Sequence, residues 1–417
     1  MACSLTFQTA HFNDGDLSDD IHDSSLSGSQ QSFNNDYRRH TYEVHVDSDK
    51  QLLKTPLHQW HIDHQGRMVE FAGWSMPVQY SSIIDEHQQT RNSIGMFDVS
   101  HMGRLYFSGT NVAEFLDGLT TRRVAGVECG KIRYSLMTND SGGILDDVLV
   151  YHLPDLNGAP FHMMVVNASN RAKIVSWLDE RKLGTDIQID DRTEASAMIA
   201  VQGPLANAAV KKLSEVDPDS LAYYTGTTTR ICGREAVLSR TGYTGEDGCE
   251  IMVSSEDAQV IWDEVFNLAA ETGGGAAGLA ARDTLRLEAG MPLYGHELNE
   301  TTNPAQTDLK FAIQMKGREF VGRSSIAEAR KDSDLWIRTG LELEGRRAAR
   351  EDCKIFHGEQ AVGVVTSGSY TPTLQKSISM AYVHPDHREL GTTLSVDIRG
   401  KLHKATVVQV PFYQRTV

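Results

Sequence analysis

Apolar residues recur along this chain in two rhythms: alternation with a period of two, which marks strands, and a 3.6-residue stripe, which marks amphipathic helices. One grammar repeats: an apolar strand, a short polar or glycine-containing turn, then a helix. Residues 105–107 lead through Ser108-Gly109-Thr110 into a helix over 112–119. Residues 163–166 lead through Asn167 and Ser169 into a helix presenting Ile174, Val175, Trp177 and Leu178. Residues 198–201 lead through Gly203-Pro204 into a helix over 205–213, with proline where a first helical turn tolerates it. Residues 250–253 lead through Ser254-Ser255 into a helix over 258–268, whose Ile261, Val265 and Leu268 fall on one stripe. Hairpin-like runs at 236–239 and 249–253 flank a glycine-rich turn. Strands mixed with hairpins and helices predict an α+β fold with mostly antiparallel sheet.

After about residue 332 the helical rhythm fades. Short alternating runs replace it at 336–343, 354–356, 361–366, 378–383 and 393–398, with turns at His357-Gly358 and Arg399-Gly400. This spacing predicts a small all-β barrel or sandwich, with a boundary within 320–335. At the other end, residues 1–53 are rich in Ser, Asp, Asn, Gln and His and poor in large apolar groups. Such a stretch buries too little surface to offset its ordering entropy, so an acidic, polar disordered extension is expected there. The expected division is therefore 1–53, 54–330 and 331–417.

Composition narrows the function classes. A chain of 417 residues with 40% hydrophobic content is globular and long enough for two to four domains. No apolar run approaches the ~18–20 residues that span a bilayer, so no membrane partner is expected. The net charge of −16 argues against a nucleic-acid partner, which needs clustered Lys and Arg. Part of that charge sits in residues 1–50, where nine acids face Arg38, Arg39 and Lys50. The five cysteines are scattered and form no CxxC, which indicates a reducing compartment rather than a disulfide framework or zinc knuckle. An N-terminus without a basic-then-apolar signal predicts the cytoplasm of a bacterium.

Three glycine-containing segments could carry chemistry. In DSGGILDD (residues 140–147) with the following strand 148–152, alternation puts Asp147 on one face with Leu149 and Tyr151, and Asp146 on the other with Val148 and Val150. Asp147 would face a cavity or merely solvent at the strand's end; acids at turn edges are common. RTGYTGEDGCE (residues 240–250) spaces Gly242, Gly245 and Gly248 for tight turns or close ligand approach, and by composition alone reads as a hairpin loop. GxxxxGK[ST] and GxGxxG are absent, so phosphate cradling is not indicated. GLAARDTLRLE (residues 278–288) reads as a helix with Arg282 and Arg286 four apart on one face: a solvated basic face or an anion clamp. His58, His61 and His64 drift around a helix with no accompanying acid or cysteine cluster, so no metal is expected.

Taken in order, these pieces resemble the aminomethyltransferase (T-protein) family of the glycine cleavage system. The likeness begins at Thr55-Pro56-Leu57-His58 and runs through MVEFAGWSMPVQY (68–80), GMFDVSHMG (95–103), DSGGILDD, MVVNA (164–168) and Gln202-Gly203-Pro204. RTGYTGEDGCE, GLAARDTLRLEAGMPLYGHEL (278–298), TSGSYTPTL (366–374) and Pro411-Phe412-Tyr413 complete it, so it covers about 55–417. The resemblance implies a three-domain ring around a central folate channel, made of two interleaved, mostly antiparallel α/β sheet domains within 54–330 plus a C-terminal all-β barrel. It implies tetrahydrofolate as co-substrate, no metal, and the lipoylated H-protein as partner. The one-carbon unit of an aminomethyl-dihydrolipoyl group would become 5,10-methylenetetrahydrofolate, with release of ammonia. By the same resemblance Asp147 is the essential acid near the folate nitrogens. Tyr243 and Glu250 contact the pterin, Val165 and Asn167 lie on the neighbouring strand, and Met102, Tyr134 and Tyr223 line the channel. Arg282 belongs to the folate site, while Glu246 and Asp247 serve the turn. The chemistry agrees: a pterin's adjacent N–H and NH2 donors suit a bidentate carboxylate, and its flat ring suits tyrosine. Iminium-like charge developing as ammonia departs can be stabilised by an aligned carboxylate.

One stretch departs from the family pattern. NPAQTDLKF (303–311) carries Gln306, Lys310 and Phe311 where an acid, a small residue and tryptophan are usual. It motivates two alternatives: a folate-dependent demethylase of a small S- or N-methyl compound, or a non-catalytic folate-binding protein.

Overall fold

The computed structural model describes residues 51–415. Most of the extension expected over 1–53 therefore lies outside the described residues; Leu53 already belongs to a short strand, Leu53–Lys54, paired in parallel with Trp74–Gln79. Two larger sheets follow. The first has five strands, all antiparallel, in the order Lys131–Thr138, Ile144–Pro154, Pro160–Val166, Gly103–Ser108 and Gln188–Asp191. The second has six, in the order Gly226–Ile231, Arg234–Ser239, Gly248–Ser254, Ser196–Gln202, Gly95–Asp98 and Gly275–Ala276, with only the last pair parallel.

Alternation along each strand sends one set of side chains to covering helices and the other set into the space between the sheets. The first sheet buries Leu105, Val148, Val150 and Met164 against the helices Val112–Leu119 and Arg171–Arg181, through Leu116, Ile174 and Leu178. The second buries Ile199, Val201 and Ile251 against Ala258–Ala270, whose Ile261, Trp262 and Val265 lie on one helical stripe. Trp262 is wholly buried, and truncating it to Ala would cost roughly 3–5 kcal/mol. The opposite faces meet: Ile132, Tyr151, Met163 and Val165 pack on Phe97, Met198, Ala200 and Met252. This inter-sheet core positions the site.

The C-terminal strands close a six-stranded barrel in the order Ile337–Leu343, Lys376–Val383, Gln360–Thr371, Lys354–His357, Thr393–Ile398 and Lys401–Val408. Its core is a period-two set, including Leu341 with Leu343, and Leu394 with Val396 and Ile398. The third of these strands runs beyond the expected 361–366, through a register shift between Val365 and Ser367. The barrel rests on the helix Leu279–Glu288 through Leu287, Ile378 and Met380. Polar latches join the apolar contact: Arg286 Nη2 donates to Ser367 Oγ at 2.9 Å, and the Tyr382 hydroxyl donates to the Glu297 carbonyl at 2.7 Å.

Candidate active site

The strand carrying the DSGGILDD acids begins earlier than its apolar pattern indicates. It spans Ile144–Pro154 rather than starting at Val148, because Asp146 and Asp147 pair across the ladder with Met137 and Leu136. Both acids therefore sit within the sheet, not at a turn edge, and alternation sends Asp147 with Leu149 and Tyr151 towards the inter-sheet space. There a cavity of about 430 Å³ opens, within the range of small-molecule sites.

Asp147 Oδ2 accepts from the Tyr134 hydroxyl at 3.0 Å and Oδ1 accepts from Asn167 Nδ2 at 2.8 Å. No cation pairs with either aspartate among the described residues, so burial raises both carboxyls above the ordinary carboxylate range. Burial likewise pushes the Tyr134 hydroxyl up, which keeps it a neutral donor.

RTGYTGEDGCE supplies the facing wall. Glu250 lies in the strand Gly248–Ser254, opposite Ala200 and Ser239, and is 4% exposed. Its Oε2 accepts from the Thr241 hydroxyl, and its other oxygen has no hydrogen-bond partner among the described residues. Burial raises this carboxyl as well. The Tyr243 hydroxyl donates to the Pro292 carbonyl, and the Arg282 guanidinium lies over the Tyr243 ring, 4.7 Å from its centre. One face of that ring is thus already covered. Arg282 lines the cavity, and its Nη1 is buried without a hydrogen-bond partner. Its helix neighbour Arg286 shares no such role: Asp283, Glu297 and Ser367 take its nitrogens. The shared helix face is therefore half ligand-facing and half structural.

Met102, Tyr134, Val165, Asn167, Tyr243, Glu250 and Arg282 thus line one cavity with Asp147. Tyr223 does not join them. It is 50% exposed and packs edge-on against Tyr224, which takes the place in the lining. The cause is local backbone: Tyr224 adopts φ +58°, its N–H bonds to the carbonyl of Arg240, just past the strand Arg234–Ser239, and its carbonyl accepts from Ile132 of the first sheet. A left-handed tyrosine leaves no signal in apolar periodicity. Glu246 does more than serve a turn, since it accepts from Arg91 Nη1 at 2.8 Å and from the Tyr413 hydroxyl at 2.7 Å. Asp247 holds Arg240.

In the departing stretch, Phe311 lines the cavity with its ring tilted against Tyr134 at 5.7 Å, yet is 55% exposed. Gln306 is outside the lining; it completes a capping box with Asn303 and donates to the Trp336 carbonyl at 3.2 Å. Tyr294, Leu309 and Arg338 are lining residues that the sequence patterns did not single out. The three histidines diverge: His58 meets Ser75, His61 bridges Asp98 and Tyr80, and His64 meets the Trp60 carbonyl.

Flat aromatic walls, two carboxylates facing the cavity and one unpartnered guanidinium suit a planar ligand rich in N–H donors with an acceptor near Arg282. Residues 57–317 match the model of the GCVT N-terminal domain, and residues 338–414 match that of the glycine cleavage T-protein C-terminal barrel domain. The chain is 40% identical to an aminomethyltransferase of Corynebacterium jeikeium over 88% of its own length and 99% of that protein. It is 39% identical to an aminomethyltransferase of Bacillus subtilis, covering 87% of this chain and all of that one. The crystal structure of the glycine cleavage system aminomethyltransferase T from Bartonella henselae superposes with a TM-score of 0.81 at 30% identity, over 87% of this chain and 99% of that one. The chain belongs to the glycine cleavage T-protein family, the aminomethyltransferases.

Proposed function

We infer that this chain transfers the one-carbon unit of an aminomethyl-dihydrolipoyl group, carried by the H-protein, to tetrahydrofolate, yielding 5,10-methylenetetrahydrofolate and ammonia. The observation that carries the assignment of roles is the Asp147 carboxyl, held by Tyr134 and Asn167 and directed into a cavity whose other wall bears Glu250 and Arg282. Near full-length likeness to aminomethyltransferases favours this reading over a demethylase or a non-catalytic folate binder. The bacterial relatives accord with a cytoplasmic location, and no helix among the described residues is long and apolar enough to cross a membrane.

Bound tetrahydrofolate supplies the nucleophilic nitrogens that receive the carbon. The protein's own groups orient and stabilise. Glu250 accepts the pterin's paired N–H donors; its Oε2 keeps a second lone pair beside the Thr241 bond, so both oxygens serve. Tyr243 and Tyr224 wall the ring, and Arg282 meets a pterin acceptor. From the cavity wall Asp147 would stabilise iminium-like charge and accept a folate N–H proton. A carboxyl raised by burial binds a proton more readily near neutral pH than an exposed one does.

The test is product formation from H-protein-bound aminomethyl group and tetrahydrofolate. An Asp147→Ala variant is expected to lose at least about a hundredfold in kcat, the order of one transition-state electrostatic contact. Undiminished turnover would remove Asp147 from the mechanism.

A further inference from the structure

Asp146, the strand neighbour of Asp147, has no part in the mechanism above. It is fully buried, and three donors converge on it: the Asn167 backbone N–H at 2.9 Å, Asn167 Nδ2 at 2.8 Å and Asn170 Nδ2 at 2.6 Å. None of these nitrogens can accept a hydrogen bond, so a proton on Asp146 would have no acceptor among them. The cradle matches the ionised form.

Asn167 is the link to the cavity. Its Nδ2 reaches both Asp146 Oδ1 and Asp147 Oδ1 at 2.8 Å, which commits its two hydrogens to the two carboxyls. An amide held this way by its nitrogen leaves its oxygen free as an acceptor, on a residue that lines the cavity. Asp147 differs from Asp146 in one respect that matters here. Its second partner is the Tyr134 hydroxyl, which can accept as well as donate. Of the two carboxyls, only Asp147 therefore has a partner able to accept its proton, the Tyr134 hydrogen then turning to the cavity that Tyr134 lines.

We propose that Asp146 is a positioning residue for the transfer reaction: as a buried anion it fixes the Asn167 amide with its oxygen available to the folate, and its charge keeps Asp147 able to take up a proton near neutral pH. The proposal rests on the reading of Asp147 given above. Among the described residues, the other ionisable groups acting on the pair are the hydroxyls of Tyr134, Tyr224, Tyr243 and Tyr294 and the carboxylate of Glu297, while Glu250 and the guanidinium groups of Arg282 and Arg338 line the same cavity as Asp147. Burial raises the carboxyls of both; the assignment of the retained charge to Asp146 rests on its donor-only cradle, against an acceptor-capable hydroxyl beside Asp147.

The test is the pH dependence of kcat, and of KM for tetrahydrofolate, between about pH 5 and 9 with the full chain and aminomethyl-loaded H-protein. Asp146→Asn removes the neighbouring charge, so the acid limb of kcat is expected to move down by at least about one pH unit, and KM to rise as the Asn167 amide loses its fixed orientation. Asn170→Ala removes one donor from Asp146 on a residue outside the lining. It should move the limb the same way by less, and it decides the matter if Asp146→Asn fails to fold. An acid limb unmoved in the folded variants overturns the proposal. Asp147→Asn serves as control: full turnover there overturns the underlying reading, whereas its loss beside unmoved limbs overturns only the role of Asp146.

Discussion

Replacing Glu250 by Gln separates ligand recognition from folding, because the structure predicts opposite effects on the two. The side chain keeps its volume, and the Thr241 hydroxyl can still donate to the amide oxygen in place of Oε2. The remaining position, which now has no partner among the described residues, becomes an NH2 donor facing the donors of a pterin. Loss of two charge-assisted hydrogen bonds, each worth about 1.5–3 kcal/mol, partly offset by the retained acceptor, leaves a net loss of roughly 2–4 kcal/mol. Affinity for a stable reduced folate such as 5-formyltetrahydrofolate should therefore fall about 30- to 1000-fold, measured by calorimetry. Stability moves the other way. Burial raises the Glu250 carboxyl in the fold, so its stabilising contribution is complete below the unfolded pKa and is lost as pH rises through the folded one. At neutral pH the wild-type carboxylate is a burden that the amide does not carry, and the variant should melt at the same temperature or higher. A dissociation constant within about threefold of wild type, in a folded variant, would refute the pterin role of Glu250.

Three further outcomes follow from the packing. A Cβ on Gly143 would lie 1.8 Å from the Glu300 carbonyl oxygen, so Gly143→Ala should cost about 2–4 kcal/mol, read as a lower urea midpoint at unchanged slope. Arg91 holds Glu246 at 2.8 Å and Glu288 at 2.9 Å in the interior, and Arg91→Ala should cost roughly 3–5 kcal/mol by taking the shared guanidinium from two buried carboxylates. Adding Glu288→Gln should then cost less than the sum of the single changes, checked by a double-mutant cycle. Burial alone would raise the Asp98 carboxyl, but its bonds to His61 and Ser100 bring it down to about 2. A lowered pKa stabilises above the unfolded value near 4 and loses that contribution as pH falls through 2; Asp98→Asn should remove about 2 kcal/mol at pH 7 and flatten the acid limb of the stability curve.

Much of this protein is decided within a few residues along the chain. Period-two alternation sets the faces of Asp147, Leu149 and Tyr151, and the barrel strands follow from the same rhythm. The helical stripe of Ile261 and Val265 likewise needs only local spacing to face its sheet. Recognition of long family motifs brought together Asp147, Glu250, Arg282 and most of their cavity neighbours. What neither rhythm nor motif carries is the identity of distant partners. Arg282 and Arg286 occupy one helix face, yet Glu297 and Ser367 claim the second arginine and leave the first facing the cavity. Tyr224 takes the place of Tyr223 in the lining through a left-handed backbone bonded to Arg240 and Ile132, residues distant in sequence. Asp146 and Asp147 are chemically identical neighbours. Asn170 on one side and the Tyr134 hydroxyl on the other give them different protonation chemistry. The sequence by itself determines which face a side chain takes, because that depends on backbone periodicity; only the tertiary structure decides what meets it there, because hydrogen bonding and desolvation depend on groups from other segments of the fold.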